Sequence, residues 1–258
     1  MTMFDLSDRV AIITGSTKGI GKAIAARMAQ AGAKVTVSSR KPEACEAVAD
    51  EINQNWAANG GEAIPIACHV GHDDQLENLV NETLNRWGKI TTLVANAAVN
   101  PFHGPSSQIP ESAFDKIMDT NVKSTFKLTR LVLPHMVSRG EGGSVTLIAS
   151  IAGLKGSTDL GAYAISKVAE HQMARNLAVE NGPHNIRVNA IAPGLIKTDF
   201  AQALWTDPAR LAAVENTLPL RRLGDPDEVA GVALFLASDA GTYVTGQVIN
   251  VCGGSSVV

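Results

Sequence analysis

Short, β-branched apolar runs alternate with long helical stretches along the chain, and this rhythm restricts the fold more than any other feature. The runs RVAIIT, KVTVSS, AIPIACHV, TTLVANAA, SVTLIAS, IRVNAIAPG and QVINVCGG are nearly continuous in apolar residues, as expected for strands buried on both faces of a parallel sheet. Right-handed crossovers then place helices on both faces. The sequence predicts an α/β fold, a single domain over residues 1–258 with a doubly wound parallel sheet of about seven strands.

One segment departs from this rhythm. Residues 195–222 lie between the sixth and seventh strands and contain helical pieces interrupted by Pro208 and Pro219. A long excursion beyond the carboxyl end of a strand is where a lid over a substrate site would lie. A packed pair of surface helices fits the same pattern, so both interpretations stay open.

Composition and charge disfavour several classes of function. A formal net charge of −3 and an aromatic content of 4% argue against nucleic-acid binding. The sequence shows neither a membrane span nor a signal peptide. Cys45, Cys68 and Cys252 are far apart and the six histidines lack ligand spacing, so we expect no disulfide framework and no metal. The expectation is a cytoplasmic protein that acts on a small molecule.

A glycine-rich loop follows the first strand and opens the first helix. Its residues are Gly15, Ser16, Thr17, Lys18, Gly19, Ile20 and Gly21. Glycines let a backbone approach a diphosphate, and a helix N-terminus offers N–H groups and partial positive charge. The spacing is GxxxGxG rather than GxGxxG, and a plain glycine turn is the alternative. The loop predicts a dinucleotide site.

The end of the second strand bears on which dinucleotide would bind. Ser39 lies where a carboxylate would accept from the ribose of NAD and repel a 2′-phosphate. Serine removes that repulsion, Arg40 offers a planar fork of donors, and Lys18 could approach the same phosphate. Together they predict NADP(H), although each alone could be an ordinary surface residue.

Tyr163 and Lys167 are four residues apart on a predicted helix and share a face. A cation at about 4 Å contributes about 4 kcal/mol at an effective dielectric near 20, or about three pKa units, which would make the phenol useful near neutral pH. Ser150 ends an apolar strand, where its hydroxyl can hold a substrate oxygen. Asn121, inside a helix, could hold a relay water. A helix cap and a satisfied buried amide are the alternatives for Ser150 and Asn121.

In combination these residues resemble the short-chain dehydrogenase/reductase family over nearly the whole chain, which implies a Rossmann-type sheet. TGSTKGIG at 14–21 matches its glycine motif, and Asn121, Ser150, Tyr163 and Lys167 fall where its catalytic tetrad is expected. Asn96-Ala97-Ala98 resembles the family's NNAG stretch, with Ala98 replacing the glycine. Pro193-Gly194 and Thr198 resemble the motif after the sixth strand.

The resemblance is closer to NADP-dependent carbonyl reductases of the retinol dehydrogenase type, through VSSRK, CHVG, NAAVNPF, APGLIKT and RRLG. His69 stands where many members carry an acid that contacts adenine, so we expect the backbone at Val70, and not His69, near the adenine. The chain ends in SSVV, without the peroxisomal tripeptide of that group.

The resemblance implies hydride transfer between NADP(H) and a carbonyl or alcohol. Tyr163 would be the acid/base, Ser150 would orient the substrate oxygen, Lys167 would bind the nicotinamide ribose and lower the pKa of Tyr163, and Asn121 would hold the relay water. The residues expected at the cofactor are Gly15, Ser16, Thr17, Lys18, Gly19, Ile20, Gly21, Ser39, Arg40, Val70, Asn96, Ala97, Tyr163, Lys167, Pro193, Gly194, Ile196 and Thr198.

The substrate expected is a ketone, aldehyde or alcohol with a largely apolar body. That expectation rests on the residues predicted around the pocket: Asn100, Phe102, Ala152, Leu154, Leu160, Leu195, Phe200 and Trp205. A 3-oxoacyl-thioester reductase and an NAD-dependent secondary-alcohol or polyol dehydrogenase are the alternatives. A non-catalytic NADP sensor would not need Ser150, Tyr163 and Lys167 together. The resemblance also implies a homotetramer.

Overall fold

A computed structural model describes residues 3–201 and 205–257, apart from the side chains of residues 200 and 210. These residues form one parallel sheet of seven strands in the order β3-β2-β1-β4-β5-β6-β7. The strands are β1 Val10–Thr14, β2 Lys34–Ser38, β3 Glu62–Pro65, β4 Thr92–Ala95, β5 Gly143–Ile148, β6 Ile186–Pro193 and β7 Val248–Val251. The strand order reverses between β1 and β4, which opens a crevice at the carboxyl ends of the strands. The predicted doubly wound α/β fold is confirmed.

Helices cover both faces of this sheet. They are α1 Gly19–Gln30, α2 Pro42–Trp56, α3 Asp73–Trp87, α4 Glu111–Ile117, α5 Ser124–Arg139, α6 Gly161–Asn181, α7 Pro208–Glu215 and α8 Pro226–Ala237. One apolar cluster joins α1, α2 and α8 to the sheet, and a second joins α3, α5 and α6 to the opposite face. The chain therefore has a core on each side of its sheet.

Strand β1 shows why the strands read as continuous apolar runs. All five of its residues are buried, and Ile12 and Ile13 belong to opposite core clusters because successive side chains point to opposite faces. Burying each such side chain stabilises the fold by roughly 1.5–3 kcal/mol. Both faces of the strand must therefore be apolar.

Two predicted boundaries differ from the structure. The third strand was expected to continue to residue 70, but β3 ends at Pro65, although the N–H groups of Ile66 and Cys68 still donate to the Val37 and Ser39 carbonyls at 2.9 and 2.8 Å. Pro65 is tolerated because β3 is an edge strand, where one side of the backbone needs no partner. Pro208 was expected to interrupt a helix, but it begins α7 because the first helical position needs no N–H donor. Helix α7 ends at Glu215, ahead of Pro219.

The long helical region after β4 contains one irregular turn. Helices α4 and α5 are joined by a π-helical segment over Met118–Lys123, so helical structure continues from residue 111 to residue 139. Such segments re-aim side chains within an otherwise regular helix. No helix in the described part of the chain is both long and apolar enough to cross a membrane.

Candidate active site

The glycine loop is fastened to the end of β4. Gly15 and Gly19 have positive φ values of 65° and 53°, a conformation that favours glycine. Asn96 Nδ2 donates to the carbonyl oxygens of Thr14 and Gly15, at 2.9 and 3.1 Å. A Cβ on Gly21 would lie 2.3 Å from the Gly15 oxygen. The loop geometry therefore requires glycine at Gly21.

Side chains within the loop have separate roles. Ser16 Oγ donates to the Ile13 carbonyl at 2.7 Å and accepts from the Ser38 N–H at 2.8 Å, and the Ser16 N–H donates to the Ser38 carbonyl at 3.0 Å, so this buried residue joins β1 to β2. Thr17 and Ile20 are half-buried. The exposed Lys18 lies 3.6 Å from Asp199, so the structure pairs Lys18 with the segment after β6.

A buried thiol holds the loop after β2. Ser39 N–H donates to Cys45 Sγ at 3.1 Å, and Ser39 Oγ lies 3.4 Å from the same sulfur. Arg40 is exposed beside them. The sequence analysis did not identify Cys45 as a support for this loop, although its place one turn into α2 is a usable signal. The arrangement presents a hydroxyl and a guanidinium, with no carboxylate at position 39.

The predicted adenine region lies next to this loop. Cys68 N–H donates to the Ser39 carbonyl at 2.8 Å, which brings the segment containing His69 and the half-buried Val70 beside Ser39. The His69 ring packs edge-on against His72, with centroids 4.7 Å apart. Burial lowers the pKa of His69, and the cations Lys116 and Arg40 add to the effect. His69 is therefore a neutral side chain at neutral pH.

The segment after β6 approaches the glycine loop. Pro193 ends β6, and a Cβ on Gly194 would lie 2.8 Å from the Cα of Cys252, so glycine is required there. Ile196 is buried and bridges to Gly224. A Cβ on Gly19 would lie 3.1 Å from Thr198 Cγ2, which puts Thr198 beside the loop. The predicted residues 193–198 and 15–21 therefore line one crevice.

Ser150 and Tyr163 meet at the carboxyl end of β5. Ser150 Oγ accepts from the Ala152 N–H at 3.1 Å and is hydrogen-bonded to the Tyr163 side chain. Lys167 Nζ lies 5.4 Å from the centroid of the Tyr163 ring, one helical turn along α6. The structure thus brings together the serine, tyrosine and lysine that the sequence singled out.

Lys167 has a partner that the sequence analysis missed. Its Nζ donates to the Ile148 carbonyl at 3.0 Å and to Glu170 Oε2 at 2.7 Å. The Lys167 and Glu170 side chains are only 1% and 2% exposed. The available signal was a glutamate three residues after the lysine, and therefore on the same face of the helix.

The surroundings of Tyr163 contradict one expectation about its pKa. Lys167 was predicted to bring the pKa of Tyr163 down towards neutrality. Burial raises the pKa of Tyr163, and Glu170 adds to that rise, against the lowering effects of Lys167 and of the Ser150 hydrogen bond. The lysine acts in the predicted direction but is outweighed, so the phenol is protonated at neutral pH.

Glu170 and Lys167 also shift each other's pKa. Burial raises the pKa of Glu170 to about 7, against the opposing effect of Lys167. Burial opposes the charge on Lys167, but Glu170 and Tyr163 outweigh it and raise its pKa. The lysine therefore stays cationic, while the carboxyl group titrates in the neutral range.

Asn121 lies in the π-helical segment and is fully buried. Its Oδ1 accepts from the Val99 N–H at 2.9 Å, and its Nδ2 donates to the Val99 carbonyl and to Ser166 Oγ at 3.1 and 3.0 Å. The side chain thus fixes the loop after β4 against α6. A relay water at this residue remains a prediction, because both side-chain polar atoms have protein partners.

The loops after β4 and β5 are joined close to the start of α6, the helix that carries Tyr163. Gly104 N–H donates to the Asp159 carbonyl at 3.0 Å, which ties the two loops together. Trp205 Nε1 donates to the Thr198 carbonyl at 3.0 Å, and Lys197 Nζ lies 5.7 Å from its ring. Residues 202–204 and the Phe200 side chain of the predicted lid lie outside the described residues. Leu154 is 44% exposed, so part of this surface is apolar and open.

The known proteins that this chain resembles in sequence and in fold are dehydrogenases and reductases. A family model described as enoyl-(acyl carrier protein) reductase matches residues 15–256. The Oryctolagus cuniculus protein dehydrogenase/reductase SDR family member 4 is 46% identical over 253 residues, covering 97% of this chain and 94% of the relative. A short-chain type dehydrogenase/reductase from Mycobacterium marinum has a TM-score of 0.90 and 37% identity, covering 98% of this chain and 97% of that one. A 7α-hydroxysteroid dehydrogenase complexed with NADH and 7-oxo glycochenodeoxycholic acid has a TM-score of 0.91 and 38% identity, covering 97% and 95%.

Proposed function

The chain belongs to the short-chain dehydrogenase/reductase family, and from that premise we propose that it is an NADP(H)-dependent oxidoreductase interconverting a carbonyl group and an alcohol. The observation that carries the proposal is the hydrogen bond between Ser150 and Tyr163, with the Lys167 ammonium 5.4 Å from the phenol ring. A phenol, a hydroxyl and a cation beside a dinucleotide loop are suited to proton transfer coupled to hydride transfer.

The glycine loop fits the diphosphate of a dinucleotide. The residue before α1, Lys18, makes no side-chain cap hydrogen bond, and the first turn of α1 has no acidic residue. The first N–H groups of the helix therefore keep their capacity to bind a phosphate, and the helix dipole favours the negative charge. We assign the diphosphate to Gly15–Gly21 with Thr198, the adenine side to Val70, and the nicotinamide side to Asn96, Ala97, Pro193, Gly194 and Ile196.

The preference for NADP(H) rests on the loop after β2. Ser39 is held against Cys45 and carries no charge, so it would not repel a 2′-phosphate. The exposed Arg40 would supply charge-assisted hydrogen bonds to that phosphate. Lys18 contributes less than expected because Asp199 competes for its ammonium. The solved relative with NADH bound shows that one family member at 38% identity takes the other nicotinamide cofactor.

The proposed chemistry divides between cofactor and protein. When bound, the reduced nicotinamide would supply the hydride that adds to a carbonyl carbon. Ser150 and Tyr163 would hold the carbonyl oxygen between their hydroxyl groups. Tyr163 would give its proton to that oxygen as negative charge develops, and would take it back in the oxidative direction. The Lys167 ammonium would stabilise the resulting tyrosinate.

The substrate class follows from the surroundings of Tyr163. Leu154, Leu160, Leu195 and Trp205 offer apolar surface, and Asn100 with His103 adds a polar pair whose side-chain nitrogens lie 3.3 Å apart. We therefore propose a ketone, aldehyde or alcohol with a largely apolar body, under a lid formed by 195–222. The 7-oxo glycochenodeoxycholic acid in the solved relative is a ketone with a largely apolar body.

Two alternatives belong to the same family. The matching family model is described as an acyl-carrier-protein reductase, so a 3-oxoacyl-thioester reductase is the first. The exposed Pro134 and His184 stand where carrier-protein reductases are expected to carry basic residues, which disfavours it. An NAD-dependent secondary-alcohol or polyol dehydrogenase is the second, and the lack of a carboxylate at Ser39 disfavours it.

We propose a homotetramer as the assembly. Phe126 on α5 and Ile165 and Val168 on α6 are 46%, 52% and 49% exposed, a set of apolar side chains on neighbouring helices. Strand β7 is an edge strand with mostly half-buried residues. Both features favour burial against further copies of the chain.

A fluorescence titration with NADPH and NADH tests the cofactor assignment. We expect NADPH to bind at least tenfold more tightly, a difference of about 1.4 kcal/mol. A panel of apolar ketones and aldehydes with NADPH then tests the reaction, and β-ketoacyl thioesters test the first alternative. Equal or tighter binding of NADH would move the proposal to the NAD-dependent dehydrogenase.

A further inference from the structure

The Lys167–Glu170 pair differs from the other ion pairs of the described residues. It alone has both side chains at 2% exposure or less, whereas each of the others has at least one partner that is 50% or more exposed. A buried ion pair adds little net stability, because removing two charges from water offsets their attraction. A contribution to stability therefore does not explain why Glu170 lies beside Lys167, the lysine next to the Tyr163 ring.

We propose that Glu170 is a positioning residue of the active site, which fixes the Lys167 ammonium and offsets part of its charge at Tyr163. The expected effect on the kinetics of reduction rests on the proposed function. The inference about the charges concerns only residues of this chain.

The hydrogen bonds of Lys167 explain the positioning. An ammonium has three N–H donors, and Lys167 directs one to Glu170 and one to Ile148, the last residue of β5. Ser150 follows Ile148 by two residues, so the same strand end carries both the lysine's acceptor and the hydroxyl bonded to Tyr163. Glu170 thereby locks the cation relative to both hydroxyl groups.

The surrounding groups leave Glu170 as the negative charge at this turn of α6. The adjacent Ile151–Gly153 segment and strand β5 carry no ionisable side chain. The other elements packed on α6 carry Arg187 on β6 and the exposed Glu111, Asp115 and Lys116 on α4, and none of these contributes to the pKa of Tyr163. His171 is neutral above pH 5 because burial lowers its pKa to about 4, with Arg175 and Lys167 adding to the effect. In the packed π-helical segment, Asp119 and Lys123 pair with each other at the surface. The field at Tyr163 is thus set mainly by Lys167 and Glu170, which act in opposite directions.

The composition of the chain permits a direct test, because Tyr163 and Tyr243 are its two tyrosines. Tyr243 is fully exposed, and Tyr243→Phe leaves Tyr163 as the sole tyrosine of the full-length protein. Near-ultraviolet absorbance of tyrosinate then reports the ionisation of Tyr163 without cofactor or substrate. In this background we compare Glu170→Gln, which keeps the shape and removes the charge, with Glu180→Gln, an exposed position on the same helix.

We expect Glu170→Gln to lower the titration midpoint of Tyr163 by about one pH unit and Glu180→Gln to leave it unchanged. Glu170→Asp, which keeps the charge, should restore most of the difference. An unchanged or raised midpoint in folded Glu170→Gln overturns the proposal. If that variant does not fold, Glu170→Met, which removes the same charge without burying an amide, is titrated in its place, and an unchanged or raised Tyr163 midpoint overturns the proposal.

The kinetic counterpart uses NADPH and a carbonyl substrate. The alkaline fall of kcat/KM for reduction should occur at lower pH in Glu170→Gln by the same shift, and the two proteins should converge at neutral pH, where the phenol is protonated in both. Parallel profiles at all pH values would count against the proposal. A protein that turns over no carbonyl substrate would contradict the proposed function, whereas the absorbance titration would still decide the role of Glu170.

Discussion

Asn121 Nδ2 lies 3.0 Å from Ser166 Oγ, so a side chain of the π-helical segment is bonded directly to the helix that carries Tyr163 and Lys167. The same amide group holds both backbone polar groups of Val99. Removing it leaves buried groups without partners, which costs more than a hydrogen bond normally contributes. The contact therefore has a measurable role in both stability and alignment.

We expect Asn121→Ala to lower the free energy of unfolding by about 3 kcal/mol, because the partly buried N–H and C=O of Val99 and the buried Ser166 hydroxyl all lose a partner. Ser166→Ala removes one of the three contacts together with the hydrogen bond from Ser166 Oγ to the Tyr163 carbonyl, and should cost about 2 kcal/mol. Chemical denaturation measures both. A smaller loss in Asn121→Ala than in Ser166→Ala would contradict the expected contribution of the two Val99 contacts.

Tyr163→Phe should reduce kcat by about 10³-fold while NADPH affinity stays within about twofold, because the ring remains and only the proton donor is lost. Tyr243→Phe is the matched control, since that tyrosine is fully exposed, and it should behave as the parent protein. Steady-state kinetics with the best carbonyl substrate makes the comparison. Retention of a tenth or more of the activity in Tyr163→Phe would remove the phenol from the proposed mechanism.

Arg40→Ala should weaken NADPH binding about tenfold and leave NADH binding unchanged, because a 2′-phosphate is the only group that distinguishes them. Lys41→Ala, an exposed cation next to it, is the control and should change neither affinity by more than about twofold. Fluorescence titration gives both constants. A similar loss for both cofactors would mean that Arg40 acts on the fold of the loop and not on the phosphate.

Gly21→Ala should destabilise the loop and abolish cofactor binding, because its Cβ would lie 2.3 Å from the Gly15 carbonyl oxygen and 2.5 Å from Asn96 Nδ2. Gly231→Ala on α8 is the control, since a Cβ there meets no atom within 4 Å. That change should stabilise the helix by roughly 0.5–1 kcal/mol. Thermal unfolding separates the two, and a tolerated Gly21→Ala would contradict the described loop.

The lowered pKa of Glu228 predicts that the protein loses stability in acid. Hydrogen bonds from Arg222 and from the Asp225 N–H lower its pKa from 4.5 to about 2. A lowered folded-state pKa means that the contribution is complete above pH 4.5 and is lost as the pH falls towards 2. Unfolding measurements on wild type and Glu228→Gln should therefore differ at neutral pH and converge in acid. A constant difference across that range would exclude the carboxylate as the cause.

The sequence alone was sufficient for the fold, and it singled out residues that the structure brings together at one end of the sheet. Alternating apolar runs predict a parallel sheet because both faces of each strand must be covered, and the sheet order agrees with that prediction. Gly15 and Ser150 could be predicted because parallel strands end at a common edge, where the residues that follow them must meet. Tyr163 could be predicted from its four-residue spacing to Lys167 on one face of a helix.

Other relationships were decided only by tertiary structure, because they join side chains whose spacing carries no signature. Nothing local shows that Ser16 joins β1 to β2 or that Asp199 takes the ammonium of Lys18. Glu170 is the clearest case. Its position relative to Lys167 could be read from the helical period. Its effect on the pKa of Tyr163 depends on burial, because burial weakens solvent screening and so strengthens the interaction between charges.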